Sequence, residues 1–346
     1  SLMTFLTSIL LGLAMGSGTV FSMRFGQKDA LGLKEGILAS FTLLGAVTVV
    51  LNVAVFLGID WIIRVLQTPA DLVGLMREYL IVIFAGLVGI FLYNFFASLL
   101  RSIGNSVVPL LFLAVSAVLN IVLDLWFVAG LNRGVAGAAE ATVISQYVSG
   151  IGIAVYTWVK CPELIRKDRA VCLRWSRVRE ITSYSALTCL QQSIMNLGIL
   201  AVQGLVNSFG TTVMAAFAAA VKIDAFAYLP VQDFGNAFST FVAQNYGAGK
   251  RERIWQGIKK SVQGVIAFCV VISSFVCVFA RDLMKLFVDK NSGAVIDVGV
   301  SYLRIEAVFY LGIGILFLLY GYYRAIEKPG MSLVLTICSL GTRVLL

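Results

Sequence analysis

Long apolar blocks separated by short polar and basic connections make up most of the chain. They run over 1–23, 36–62, 79–100, 107–129, 134–159, 181–207, 212–246, 256–280 and 297–323, and another opens at Met331. Each of these nine approaches or exceeds the roughly 20 apolar residues that carry a helix across a hydrocarbon core. Lipid offers the backbone no hydrogen-bond partners, so only helices and closed barrels span it. Barrel strands need only about ten residues of alternating polarity, which these blocks do not show. The pattern predicts an all-α polytopic membrane protein.

Composition strengthens this reading. Apolar residues make up 59% of the chain and charged ones only 13%, whereas a soluble domain has about a quarter of its residues charged. The net charge of +9 raises the question of a nucleic-acid partner, and the placement of the charge answers it. Connections counted from the one after residue 23 alternate in basicity. The odd ones carry eighteen Lys and Arg, seven of them between Lys160 and Arg179, and the even ones with their margins carry seven. That asymmetry is a topology signal, with the odd connections in the cytoplasm. No nucleic-acid partner is implied. The six cysteines lie in apolar blocks or on the 160–179 connection without a CxxC pair, and read as packing residues. Residues 1–23 lack the basic start of a signal peptide and form too long an apolar run for one. The chain has no histidine, HExxH or Asp-Asp-x-x-Asp cluster, so metal and His-base enzymology lack their parts. No enzyme, metal or cofactor is expected.

The chain also repeats itself. Thr19, Phe25-Gly26 and Gly36-Ile37 recur as Thr240, Tyr246-Gly247 and Gly257-Ile258, an offset of 221. Tyr79-Leu80, Gly89, Arg101 and Ile103 recur as Tyr302-Leu303, Gly312, Arg324 and Ile326, an offset of 223. Six helix-loop units fit in that interval. The parent architecture is therefore two pseudo-symmetric six-helix bundles entering the membrane in the same direction, a known transporter plan. We expect a first bundle over 1–160, a cytoplasmic linker over 161–180 and a second bundle over 181–346. The counterpart of 181–207 falls before residue 1 and that of 134–159 near 357–382. About ten of twelve helices are thus expected here, without the first and last.

Phe241-Val-Ala-Gln-Asn-Tyr-Gly-Ala-Gly-Lys250 resembles the signature at the cytoplasmic end of the eighth helix in the multidrug and toxic compound extrusion family. Leu99-Leu-Arg-Ser-Ile-Gly-Asn105 and Leu119-Asn-Ile-Val-Leu-Asp124 are similar to its fourth-to-fifth helix region. Gly134-Val-Ala-Gly-Ala-Ala with Ala141-Thr-Val-Ile-Ser-Gln146 resembles its sixth helix. The resemblance implies a monomeric twelve-helix antiporter in the plasma membrane. It would export cationic or amphipathic small organic compounds in exchange for sodium or protons. In some members the first helix, expected from the repeat to precede residue 1, carries a coupling aspartate. Glu140 departs from the small or apolar residue expected in the sixth-helix motif. The resemblance assigns structural roles to Gln244, Asn245, Gly247, Gly249, Arg101 and Gly104. A lipid-linked oligosaccharide flippase of the same superfamily is the alternative, though it would want a basic cavity, and embedded acids outnumber bases here.

Ionisable groups within spans are costly and face the protein interior or a water-filled cavity by default. These are Lys222, Asp224 and Asp233 in one helix, with Asp124, Glu140 and Glu306 elsewhere and Arg343 near the end. Lys222 and Asp224 are two residues apart and cannot pair with each other. Pro230 should kink or open their helix. At the repeat offset Lys222, Asp224 and Asp233 correspond to Ser1, Met3 and Gly12, so the scaffold repeats and its charges do not. A cation or proton site in the second half and a structural ion-pair network both fit. Asp124 reads as a brace for the adjoining loop or as an ion ligand, and Glu306 as an ion ligand or interfacial residue. Gln191, Gln192, Asn196 and Asn236 are polar candidates for a substrate cavity, against a role in interhelical bonding.

Overall fold

The computed structural model describes residues 2–65, 73–165, 171–289 and 292–345. The order is α1 (Leu2–Gly26), α2 (Ala30–Val65), α3 (Val73–Ala85), α4 (Leu87–Ser102), α5 (Val107–Asp124), a π-helical turn (Leu125–Gly130), α6 (Gly134–Lys160), α7 (Pro162–Ile165), α8 (Trp175–Asn207), α9 (Thr211–Gly247), α10 (Arg251–Phe287), α11 (Gly293–Ala325) and α12 (Pro329–Leu345). Nine stretches among the described residues are long and apolar enough to cross a membrane, with α3 and α4 together forming one of them. No strand occurs among them.

Several boundaries differ from the apolar pattern, for local reasons. The block at 79–100 extends over 73–102 and is interrupted at Gly86. The block at 256–280 lengthens to Arg251–Phe287, because charged turns at both ends remain helical. α9 stays helical through Pro230, although that residue has no N–H to offer the carbonyl of Phe226. Residues 166–170 of the expected linker, with Arg166, Lys167 and Arg169, lie outside the described residues, as does the side chain of Arg343.

The internal repeat is visible in hydrogen bonds. α1 closes with Lys28 N–H donating to the Phe25 carbonyl (3.1 Å) and Asp29 N–H to Arg24 (3.1 Å). α9 closes identically 221 residues later, Gly249 to Tyr246 (3.0 Å) and Lys250 to Asn245 (2.9 Å). This is the Schellman ending, which requires a left-handed residue, and Lys28 (φ 58°) and Gly249 (φ 70°) supply it. The ends of α4 and α11 form a second pair. Asn105 N–H reaches Leu100 (2.9 Å), Lys328 N–H reaches Tyr323 (3.0 Å), and the left-handed residues are Gly104 (φ 91°) and Glu327 (φ 65°). The backbone repeats where the side chains have diverged.

The chain forms two compact units, Ser1–Gln192 and Ser193–Leu346, with the boundary inside α8. In the first unit α4 crosses α6 at Gly89 and Gly150, so closely that a Cβ on Gly150 would lie 2.5 Å from the Gly89 carbonyl oxygen. Small residues at such crossings let helices approach where lipid provides no hydrophobic drive. α8 packs on α1 in the same manner. A Cβ on Gly12 or Gly16 would meet the backbone of Cys189 or Ser185 at 2.5 Å, and the Ser17 and Ser185 hydroxyls bond at 3.0 Å. Phe21, Phe41, Phe91, Phe95 and Phe96 fill the space between α1, α2 and α4 with tilted and edge-on ring contacts. In the second unit α9 crosses α11 at Gly235 and Gly321, a Cβ on Gly321 lying 2.5 Å from the Gly235 carbonyl oxygen. Gly314 of α11 meets Val265 and Cys269 of α10.

Candidate functional site

In the second unit three helices converge on a pocket near the middle of their spans. α9 contributes Asp224, Ala227, Tyr228 and Val231, at the i, i+3, i+4, i+7 spacing that puts them on one face. α11 contributes Glu306, Tyr310 and Ile313, and α10 contributes Cys269 and Ile272. Residues three and four apart on a helix are surface neighbours, so Glu306 and Tyr310 share a side of α11.

The Tyr310 hydroxyl donates to Asp224 Oδ1 at 2.5 Å, fixing the carboxylate across the α9–α11 seam. Tyr310 is held in turn, with its main-chain carbonyl accepting from Cys269 Sγ at 3.4 Å. One turn along α10, Ser273 Oγ donates to the Ala307 carbonyl at 2.7 Å. Tyr228 stacks edge-on against Phe317, ring centroids 5.1 Å apart, and its hydroxyl lies 3.4 Å from Met195 Sδ. The pocket thus has two carboxyl groups and two phenols set in an apolar wall. Its free volume is about 30 Å³, room for a water or a bare cation, whereas drug-sized ligands occupy about 300 Å³ or more.

The other sequence candidates fall elsewhere. Lys222 is exposed, with Nζ 5.8 Å from the Phe287 ring, and does not enter the pocket. Asp233, read from sequence as an embedded acid, is exposed. It follows Asp224 by nine residues, a half-turn in phase, so the two acids lie on opposite faces of α9. Glu140 pairs with Arg133 at 2.6 Å, an ion pair at the start of α6 that accounts for its departure from the motif. Asn236 Oδ1 accepts from Arg324 Nη2 at 3.4 Å, so it serves a buried arginine. Gln191 and Gln192 are buried, Gln192 against Met15 of α1, and Asn196 is half-buried on α8. Arg101 and Gly104 end α4, and Gln244, Asn245, Gly247 and Gly249 end α9. Asn245 Nδ2 donates to the Phe241 carbonyl at 2.8 Å within that last turn.

Asp124 occupies a different polar cluster, in the first unit. It ends α5 where the backbone turns into the π-helical segment, and its Oδ1 is buried without a hydrogen-bond partner. One turn earlier Asn120 Nδ2 donates to Thr142 Oγ1 of α6 at 3.4 Å. Neither Tyr310 nor Thr142 carries a charge to single it out in the sequence. Helical spacing from Glu306 was the available signal for Tyr310, and for Thr142 the sixth-helix motif.

Comparison with known proteins identifies the family. The chain is 30% identical over 332 residues to probable multidrug resistance protein YpnP of Bacillus subtilis, spanning 96% of this chain and 74% of that protein. It is 24% identical to the FAD transporter of Shewanella oneidensis, over 95% of this chain and 71% of that one. An outward-facing multidrug resistance MATE transporter of the MOP superfamily superposes with a TM-score of 0.90 at 23% identity, covering 96% of this chain and 74% of its own. The MatE family profile matches residues 1–126 and 188–346. The chain therefore belongs to the MatE family, as a multi-pass membrane transporter and not an enzyme.

Proposed function

We propose that the protein exports cationic or amphipathic small organic compounds across the plasma membrane in exchange for a proton or sodium ion. The coupling cation binds at Asp224 and Glu306. One observation carries this reading: two carboxyl groups from different helices share an interior pocket sized for an ion, with Tyr310 fixing one of them. Two carboxylates that line one poorly hydrated pocket disfavour each other's charged form, and a bound proton or cation relieves that repulsion. A site that must take up and surrender a cation needs this arrangement. The names of relatives such as YpnP support drug export, and the matched family gives no support to a flippase.

Asp124 supports a second location for coupling, because its buried oxygen has no partner beside the Asn120–Thr142 bond. A buried carboxylate oxygen left unsatisfied is costly, and a proton or cation would relieve it. Ethidium efflux from vesicles under an imposed proton or sodium gradient separates the two. Asp224→Asn and Glu306→Gln should each abolish gradient-driven efflux at matched expression, with Asp233→Asn at parent rate. Full activity in both pocket variants, with loss in Asp124→Asn, would move the coupling site to the first unit.

A further inference from the structure

We propose that the first three turns of α10 bind the anionic headgroups of membrane phospholipids. Lys250, Arg251, Arg253, Lys259 and Lys260 are all exposed here, and none forms an ion pair among the described residues. Glu252 is the one acid among residues 250–260, and its Oε1 accepts from Gln256 Nε2 at 3.2 Å. Ile254 is buried, which fixes the rotation of the helix and turns Arg253, Lys259 and Lys260 outward. On that outer side Trp255 is 56% exposed, with Lys259 Nζ 5.6 Å from its ring.

The depth of these residues suits lipid. α10 is 37 residues long, roughly 55 Å, against a core of about 30 Å. Its uncharged stretch runs over 261–280 and fills that core, which leaves Lys259 and Lys260 at the hydrocarbon boundary. Arg253 and Trp255 follow about 8–11 Å further along the helix. Trp and Lys prefer this interfacial zone, and basic clusters there attract anionic lipid.

The repeat supplies a control within the molecule. At the same position in the first unit, Lys250, Arg251, Arg253, Gln256, Lys259 and Lys260 are replaced by Asp29, Ala30, Gly32, Glu35, Leu38 and Ala39. At Glu35 that surface is covered by the protein's own chain, while Ala30 and Leu38 stay exposed. Glu35 is 1% exposed and receives Arg174 at 3.0 Å and Arg177 at 3.3 Å. In the second unit Gln256 is exposed instead. One copy of the turn carries an acid met by arginines, and the other carries bases that face outward. The bases lie where phosphate headgroups lie, and the exposed indole favours a lipid over a free anion.

The test is native mass spectrometry of the purified full chain titrated with dioleoylphosphatidylglycerol or dioleoylphosphatidylcholine. The parent should retain phosphatidylglycerol selectively and lose it as salt is raised. Removing a basic residue near a membrane surface weakens anionic-lipid binding about fivefold. Lys259→Gln should therefore lose about fivefold, and Arg253→Gln/Lys259→Gln/Lys260→Gln about a hundredfold, with phosphatidylcholine retention unchanged. Arg281→Gln/Lys285→Gln, at the other end of α10, should retain the lipid as the parent does. Parent-like retention by Lys259→Gln and the triple variant overturns the proposal. So does equal loss in the Arg281/Lys285 variant, or displacement of phosphatidylglycerol by inorganic phosphate at equal concentration.

Discussion

Asp224 and Asp233 show how little a residue's type says without its phase on the helix. Both are acids of one apolar helix, and nine positions separate a carboxylate held by a tyrosine from one that is exposed. The Tyr310 hydroxyl is what distinguishes them. A hydrogen bond to a charged group contributes about 1.5–3 kcal/mol, and Tyr310→Phe removes it while keeping the ring. We expect gradient-driven efflux by Tyr310→Phe to fall at least about tenfold at unchanged membrane insertion, measured as initial ethidium efflux rate. A parent rate would mean that the bond does not position the coupling carboxylate. The sequence revealed Asp224 and Glu306 because embedded charge is conspicuous. Their convergence was not legible, because helical phase relates residues within one helix and says nothing about which helix lies opposite.

At the scale of elements, the repeated helix ends carry the clearest energetic signature. Glycine and a bulkier residue alternate at equivalent left-handed positions, Lys28 with Gly249 and Gly104 with Glu327. A side chain in that region costs about 1–2 kcal/mol. Glu327→Gly should therefore raise the stability of the detergent-solubilised protein by up to about 1 kcal/mol, and Gly249→Ala should lower it by about as much. Thermal unfolding followed by helical circular dichroism reads both, and opposite shifts would argue against strain at these turns. Gly321→Ala faces a harder obstacle, since its Cβ would lie 2.5 Å from the Gly235 carbonyl oxygen. Forcing that crossing apart should cost about 1–3 kcal/mol. Helix existence was readable from apolar length alone. The break at Gly86, the π-turn after Asp124 and the extra turns of α10 were not, because each depends on local backbone geometry and hydropathy does not encode it.

For the whole molecule, the sequence conveyed membrane residence and the repeat, since both are written in periodicities longer than any helix. Compact units joined within α8 were not anticipated. Polar contacts such as Ser17 with Ser185 draw the start of that helix onto α1, an effect of tertiary packing that a hydropathy plot treats as noise. From the basic asymmetry we expect 161–180 to lie in the cytoplasm. Cys172 is exposed and Cys161 half-buried, so an impermeant maleimide applied to intact cells should leave both unlabelled and react with Cys172 after permeabilisation. Labelling of Cys172 in intact cells would invert the topology.

In the proposed exchange a cation leaves the Asp224–Glu306 pocket as the organic compound binds. Release of that cation by the purified full-length protein tests it most directly. Ethidium added to protein in weakly buffered detergent should release protons, or sodium read by a fluorescent indicator, in proportion to the ethidium bound. Asp224→Asn and Glu306→Gln should bind ethidium and release neither ion. Undiminished release from both variants would contradict the account.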